Sequence, residues 1–244
     1  MKKYYYDLHI HSCLSPCGDD DSTPDSILGM GELNGLDIMA LTDHNTCKNC
    51  PAFFEAAEKH GILPVAGMEL TTAEDIHVVC LFPKLESALS FSEEIDKRRI
   101  KIKNRADIFG NQLITDSEDN IVGNEEFLLS NATIVSLDEA PSIVSKFGGI
   151  CYPAHIDRES NGVISVLGVF PQSPVFDCAE VHNPQKISEY SKLSGFSKDK
   201  LIISSDAHFL WDIKEKTDYI ELEEIPIGSK NAGEYLIKYL RGMV

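Results

Sequence analysis

The chain has little positive charge: 22 Lys and Arg stand against 39 Asp and Glu, a formal net charge of −17. Tight, sequence-independent binding to long nucleic acid rests on neutralising phosphates with Lys and Arg, so a long duplex is not expected as a ligand. A small phosphorylated substrate stays open, because bound metal ions are the largest local charges in a site and invert its acidity. No stretch approaches the roughly 20 apolar residues that cross a bilayer. The first residues, Met1-Lys2-Lys3-Tyr4, hold no apolar signal core, so the expectation is a cytoplasmic protein without a membrane partner. Seven cysteines, an odd number, fit a reducing compartment better than a disulfide framework. Internal repeats, Ser/Gly linkers and low-complexity tracts are missing. With 43% hydrophobic residues over 244, a single domain spanning 1–244 is expected.

What is present is an alternation of elements. Residues 4–10 are Tyr- and Ile-rich and read as a strand. Thr23-Pro24 opens a helix over 24–34 that Gly35 ends, and 36–41 is a second strand. Pro51 opens a helix to His60, closed by Gly61, before strands at 62–66 and 76–82. This rhythm predicts parallel strands with crossovers. It pauses over 83–149, read as a long helix 85–109, a polar excursion 116–124 and a helix 135–147: an inserted helical subdomain over the barrel mouth. Strand 149–154, helix 159–168, strand 176–182, a helix near 185–193 and strand 200–204 restore the rhythm. A strand at 218–222 and an amphipathic helix at 229–241 follow.

Seven of the eight histidines sit at the ends of short apolar runs. In order they fall in Asp7-Leu8-His9-Ile10-His11, Leu41-Thr42-Asp43-His44, Asp75-Ile76-His77, Pro153-Ala154-His155, Glu180-Val181-His182 and Ser205-Asp206-Ala207-His208. A carboxylate, Glu69, ends a similar run. Imidazole and carboxylate are the ligands shared by divalent Zn, Mn and Fe, and strand ends are where such groups converge in an α/β fold. His9 and His11, two apart on a strand, face the same way about 6–7 Å apart at the backbone and can reach one ion with Glu69 and Asp206. His77 and His155 can hold a second ion with Glu69 bridging, leaving His44 and His208 for a third. Asp43 is read as orienting an imidazole rather than ligating. His60 ends an Ala/Glu helix and fits dipole compensation.

In order, Asp7–Ser12, Leu41–His44, Gly67–Glu69, Ile76–Val78, Pro153–His155 and Ser205–His208 resemble the motifs of the PHP (polymerase and histidinol phosphatase) family. The resemblance implies a distorted (β/α)7 barrel and phosphoesterase activity. It implies one metal at His9, His11, Glu69 and Asp206, a second at Glu69, His77 and His155, and a third involving His44 and His208. Arg158, just past His155, resembles a phosphate-holding Arg of the subgroup that acts on nucleotide phosphates or short RNA ends; its competing reading is an ion pair with Asp157 or Glu159. The implied reaction is attack on a phosphate ester by a metal-bridged hydroxide, with His208 or a metal-bound water protonating the leaving oxygen. His182, in the same pattern without an ion, is expected to line the substrate pocket.

The family usually offers Asp or His at the third metal five or six residues after the second histidine. Here those positions are Pro16 and Cys17. Either Cys17 ligates, or Asp19-Asp20-Asp21 substitutes, or the third ion is weak. Cys13, Cys17, Cys47 and Cys50 lie on the loops after the first two strands and read as a candidate Zn or iron–sulfur centre, or as small loop residues. Cys80, Cys151 and Cys178 read as core. Lys97–Arg105 carries six cations in nine residues, either steering an anion or forming a solvated helix face through pairs such as Glu94–Arg98. Two alternatives to phosphomonoester hydrolysis stay in view within enzymes: a phosphodiesterase or short-RNA exonuclease, and a histidinol-phosphate phosphatase. Outside enzymes, a metal- or redox-sensing domain would work through the four loop cysteines.

Overall fold

The computed structural model describes residues 1–226 and 228–242. In chain order the strands are β1 (Lys2–Ile10), β2 (Ile38–Leu41), β3 (Leu63–Thr71), β4 (His77–Phe82), β5 (Leu113–Thr115), β6 (Ile121–Asn124), β7 (Ile150–Pro153), β8 (Ala179–Glu180), β9 (Leu201–Ile202) and β10 (Tyr219–Leu222). The helices are α1 (Pro24–Asn34), α2 (Cys50–His60), α3 (Leu85–Asp96), α4 (Ala106–Phe109), α5 (Ala140–Ser145), α6 (Val163–Leu167), α7 (Ile187–Ser194) and α8 (Ala232–Leu240). One sheet runs β10-β1-β2-β3-β4-β7, and a second pairs β8 with β9. Backbone contacts carry the curl onward: Ile156 N–H donates to Glu180 O, and Ile10 bridges Ala207 in parallel. The result is an α/β half-barrel with helices outside.

Local chemistry sets the element ends. Thr23 Oγ1 accepts from Ser26 N at the start of α1, Pro24 occupies the first turn, and Gly35 ends the helix at φ 74°, where a side chain would be strained. Gly61 closes α2 in the same way. The strand interiors alternate between two buried layers. Tyr4, Tyr6 and Leu8 join the layer that holds Ile38, Ala40, Leu63, Val65, Val79, Leu81 and Tyr152. Ile10 joins the other, with Met39, Leu41, Met68, Val78 and Cys80 under α1, α2 and α3. That switch within β1 coincides with a register irregularity between Asp7 and Ile10. A bulge shifts side-chain parity by one, so His9 and His11 face inward beyond Leu8.

The structure departs from the sequence reading in four places. β3–β4 and β4–β7 are antiparallel rather than parallel, and this direction brings the first residue of β4, His77, to the common mouth. β3 runs on to Thr71, so Glu69 lies within a strand. The helix expected over 85–109 stops at Asp96, because the next residues bridge outward: Arg99 pairs with Thr133 and Lys103 with Phe127 in extended backbone. The segment 83–149 is therefore not a helical subdomain. Its helices α3 and α5 pack on the barrel strands, and its middle is a short β5–β6 hairpin. The hairpin docks on the loops after β1 and β2 through Leu113 N–H to Cys13 O and Thr115 N–H to Asn49 Oδ1. Later elements are shorter than expected: α5, β9 and, most of all, α6 and β8. Among the described residues no helix is long and apolar enough to cross a membrane.

Candidate metal centre

The inward ends of β1, β2, β3, β4 and β7 and the loop after β9 converge on Glu69. His9 Nε2, His77 Nδ1 and His155 Nε2 lie 3.3, 2.8 and 3.2 Å from its Oε1. His11 Nε2 and His44 Nδ1 lie 3.2 and 3.0 Å from Oε2. Asp206 Oδ1 sits 3.3 Å from His9 Nε2 and 3.2 Å from His11 Nε2. Potential ligand atoms fall into three mutually close groups: His9, His11, Glu69 and Asp206; His44, Glu69 and His77; and His11, His44 and His208. The second differs from the sequence expectation by holding His44; His155 stands beside it, against Glu69.

Outer contacts fix how the rings point. His9 Nδ1 bonds Glu180 at 2.9 Å, and the same Oε1 accepts His155 N–H at 3.0 Å. His11 Nδ1 bonds Ser15 Oγ at 2.9 Å, and Ser15 donates to Asp43 Oδ1 at 2.7 Å. Both Nδ1 atoms therefore carry hydrogen and both Nε2 lone pairs face inward. Asp43 also takes Ser12 N–H and Oγ–H, each at 2.7 Å; it lies behind the cavity and reaches His11 only through Ser15. His155 and Asp206 sit at φ 26° and 51°, left-handed conformations that cost non-glycine residues of order 1–3 kcal/mol each and cluster at functional sites.

Four buried atoms here have no hydrogen-bond partner: Glu69 Oε2, Asp206 Oδ1, His44 Nδ1 and His155 Nδ1. The His11 and His44 rings lie at ion-pair distance from Glu69 Oε2 but misaligned for hydrogen bonding, whereas His155 Nε2 hydrogen-bonds Glu69 Oε1 at 3.2 Å. Orphaned buried polar atoms are costly, and five inward imidazoles cannot all be donors to one carboxylate. Divalent cations would satisfy the set, so the donors fit metal binding. Burial opposes charge on every group, yet the His77, His9 and His44 rings hold Glu69 well below the usual carboxylate range, and His9 and His11 do the same to Asp206. His9 is raised against its burial by Glu180, Asp206 and Glu69. His77 is lowered by burial. Cys17, exposed at the rim, is partly desolvated, but the facing His44 and His208 pull its thiol down to about 5.

A cavity of about 410 Å³ opens beside the cluster, lined among others by Cys17, His44, Glu69, Arg158, Asp206 and His208. Arg158 Nη1 pairs with Asp206 Oδ2 at 2.6 Å, and Nη2 lies 3.3 Å from His182 Nε2. Its partners are thus Asp206 and His182, not Asp157 or Glu159. Asp157 instead accepts His182 N–H and Asn183 N–H. His208 stacks on His11 with centroids 4.2 Å apart. Glu180 is a site residue beyond those expected from sequence; the motif Glu180-Val181-His182 holds the signal, an acid two residues before a strand-end histidine.

Two expectations are corrected. The four loop sulfurs do not converge. Cys47 and Cys50 are buried and both contact the Gly67 carbonyl, at 3.1 and 3.8 Å. Cys13 is buried under the hairpin with its thiol pushed up to about 12 by burial and Asp43, unlike a ligating thiolate. No group of three potential ligands among the described residues includes a cysteine, so the four loop cysteines are not gathered as the candidate Zn or iron–sulfur centre requires. The cationic run is engaged with acids: Arg98 pairs with Glu94, Arg99 with Asp96 and Glu125, Lys101 with Asp96 and Lys103 with Glu126.

Residues 7–104 match the model of the PHP domain. An error-prone DNA polymerase from Symbiobacterium thermophilum is 36% identical over 30% of this chain and 7% of its own length. A 5′-3′ exoribonuclease from Haemophilus influenzae is 29% identical over 43% of this chain and 40% of its own length. The chain thus spans less than half of either relative. Among solved structures, the lesion-specific endonuclease PfuEndoQ from Pyrococcus furiosus superposes with TM-score 0.66 and 16% identity, over 100% of this chain and 57% of its own. An amidohydrolase from Chromobacterium violaceum with bound sulfate and no metal gives 0.59 and 18%, over 98% and 96%. At these identities the likeness is one of fold.

Proposed function

From the match of residues 7–104 to the PHP domain model, we propose that the chain is a metal-dependent phosphoesterase of that family acting on a small, nucleotide-like phosphate ester. The observation that supports this reading most is the convergence of five imidazoles and Asp206 on Glu69, with four buried polar atoms left to be satisfied. His9, His11, Glu69 and Asp206 would hold one ion, and Glu69 with His77, His44 and His155 a second. Such ions, when bound, supply charge neutralisation for phosphoryl oxygens and lower the pKa of water.

The chain's own groups do the rest. Glu180 and the Ser15–Asp43 pair hold the His9 and His11 rings with Nε2 inward. Arg158, one-third exposed and hinged between Asp206 and His182, can swing its guanidinium onto a phosphate entering the cavity. His208, partly exposed on the cavity wall, is placed to hand a proton to the leaving oxygen. The cavity of about 410 Å³ suits a mononucleotide-sized ligand.

A second reading is a nuclease acting on short nucleic-acid ends, favoured by the similarity to the exoribonuclease. The charge of −17 weighs against long duplexes, although an endonuclease Q of similar fold is recorded with a 27-mer duplex. The test is turnover of a nucleoside monophosphate, a short single strand, a lesion-bearing duplex and histidinol phosphate, each with Mn(II), Zn(II) or Fe(II). Phosphate release from the monophosphate, abolished in His9→Ala/Asp206→Ala, is the expected result. Cleavage of the oligonucleotide alone would favour the second reading, and turnover undiminished in the double variant would sink both.

A further inference from the structure

The cavity beside the metal centre is walled almost wholly by polar groups. Of the twelve residues that line it, none is aliphatic and none is Phe, Tyr or Trp. Its four imidazoles are already committed: His44, His77 and His155 lie against Glu69, and His208 stacks on His11. A nucleobase is held chiefly by its flat faces, on aromatic or apolar side chains. The cavity offers no such surface, so a base has no seat inside it.

What the lining does offer, beyond the ligand set and Arg158, is hydroxyl chemistry. Asp75, Ser130, Ser160 and Asn161 all face the cavity. Among the described residues no protein group bonds the Asp75 carboxylate or the Ser130 and Ser160 hydroxyls, whereas Asn161 spends its Nδ2 on Asp75 O at 2.9 Å. The backbone beneath these side chains is fixed. Asn161 O accepts His77 N–H at 2.9 Å, so the turn before β4 and the loop after β7 form one surface tied to a cluster histidine. Asn45, next to His44, donates from Nδ2 to Leu129 O and Asn131 O at 2.7 and 3.0 Å, bracketing Ser130.

We propose that Asp75, Ser130 and Ser160 form a hydroxyl-binding wall that makes the centre selective for phosphate esters of ribose and indifferent to the base. The proposal rests on reading the cluster as a phosphoesterase centre, and names the part of the substrate that the cavity recognises. Arg158 and the metal centre take the phosphate. A carboxylate accepts from sugar hydroxyls, as an acidic residue does on ribose in dinucleotide-binding folds, and a serine hydroxyl both donates and accepts. The 2′-hydroxyl is the group by which ribose is told from deoxyribose. The base stands outside, toward solvent.

The test is steady-state turnover with Mn(II) of adenosine and uridine 5′-monophosphates, ribose 5-phosphate, and the 2′-deoxy counterpart of each. The three ribose esters should agree within about threefold in kcat/KM. Each deoxy counterpart should be roughly tenfold or more poorer, mainly through KM, because a hydrogen bond to a charged group is lost. Asp75 sits at φ 63°, which glycine adopts without strain, so Asp75→Gly should keep the fold and bring ribose and deoxyribose esters within about threefold. Asp75→Asn should restore part of the preference, and Ser130→Ala should weaken it. Deoxy esters turned over as well as ribose esters by the wild type, or a preference left intact in both Asp75→Gly and Ser130→Ala, would overturn the wall. So would ribose 5-phosphate falling more than tenfold below adenosine monophosphate. Each of these outcomes leaves the phosphoesterase reading standing, whereas turnover of no phosphate ester at all would overturn both.

Discussion

Glu180 offers the most incisive test of how the centre is built, because it touches no solvent and its work is done through other groups. Its Oε1 accepts from His9 Nδ1 and His155 N–H, at 2.9 and 3.0 Å, and it is fully buried. Replacing it with Ala leaves two buried donors unpaired, each costing about 1–3 kcal/mol. Glu180→Ala should therefore destabilise the metal-free protein by about 2–5 kcal/mol, or roughly 5–15 °C in Tm for a chain of this length. It also frees the His9 ring to turn and change tautomer, which should weaken metal binding about 10–100-fold. Glu180→Gln separates the two effects. Its oxygen in the Oε1 position keeps both hydrogen bonds, so most stability returns, while the lost charge leaves His9 a poorer ligand. Thermal unfolding with chelator, paired with calorimetric Zn(II) titration, reads both quantities. An Ala variant within about 1 °C of wild type that binds Zn(II) within about twofold would refute the role assigned to Glu180, since the cited penalties could not then apply.

The metal-free protein should show a stability optimum between about pH 4.5 and 6.5. Raised His9 and His44 contribute stability that is complete below the ordinary histidine value and lost as pH rises through their folded values. Depressed Glu69 and Asp206 contribute stability present above the ordinary carboxylate value and lost on acidification. Zn(II) should reverse the alkaline decline, because ligation displaces those protons; unfolding scans from pH 5 to 9 with and without chelator check it, and a flat chelated profile above 6.5 would count against it. Arg158→Ala should raise KM about tenfold or more with a smaller change in kcat, because a charge-assisted phosphate contact is lost, about 1.5–3 kcal/mol; steady-state kinetics decide. Gly67→Ala should cost about 1–3 kcal/mol and depress activity, since its Cβ would stand 2.8 Å from Cys80 O on the neighbouring strand, two residues from Glu69; an unchanged Tm and turnover would contradict that packing.

The sequence by itself determined the chemistry: which side chains are offered, in what order, and on which local runs. His9 and His11 at a spacing of two, and Glu69 and Asp206 after apolar stretches, were legible because strand periodicity and ligand type are local properties. So were the ends of α1 and α2, written in Thr23, Gly35 and Gly61. What only the tertiary structure decided depends on contacts between distant segments. The reversal of β4 is one case, since a short apolar run reads alike in either direction. The end of α3 at Asp96 is another, because Arg99 and Lys103 find strand partners at Thr133 and Phe127, and long-range pairing overrides local helix propensity. The inward turn of Cys47 and Cys50, the hidden Glu180 and the position of Cys17 against His44 and His208 are of the same kind. A sequence lists donors, but the distances among them are set by how the barrel closes.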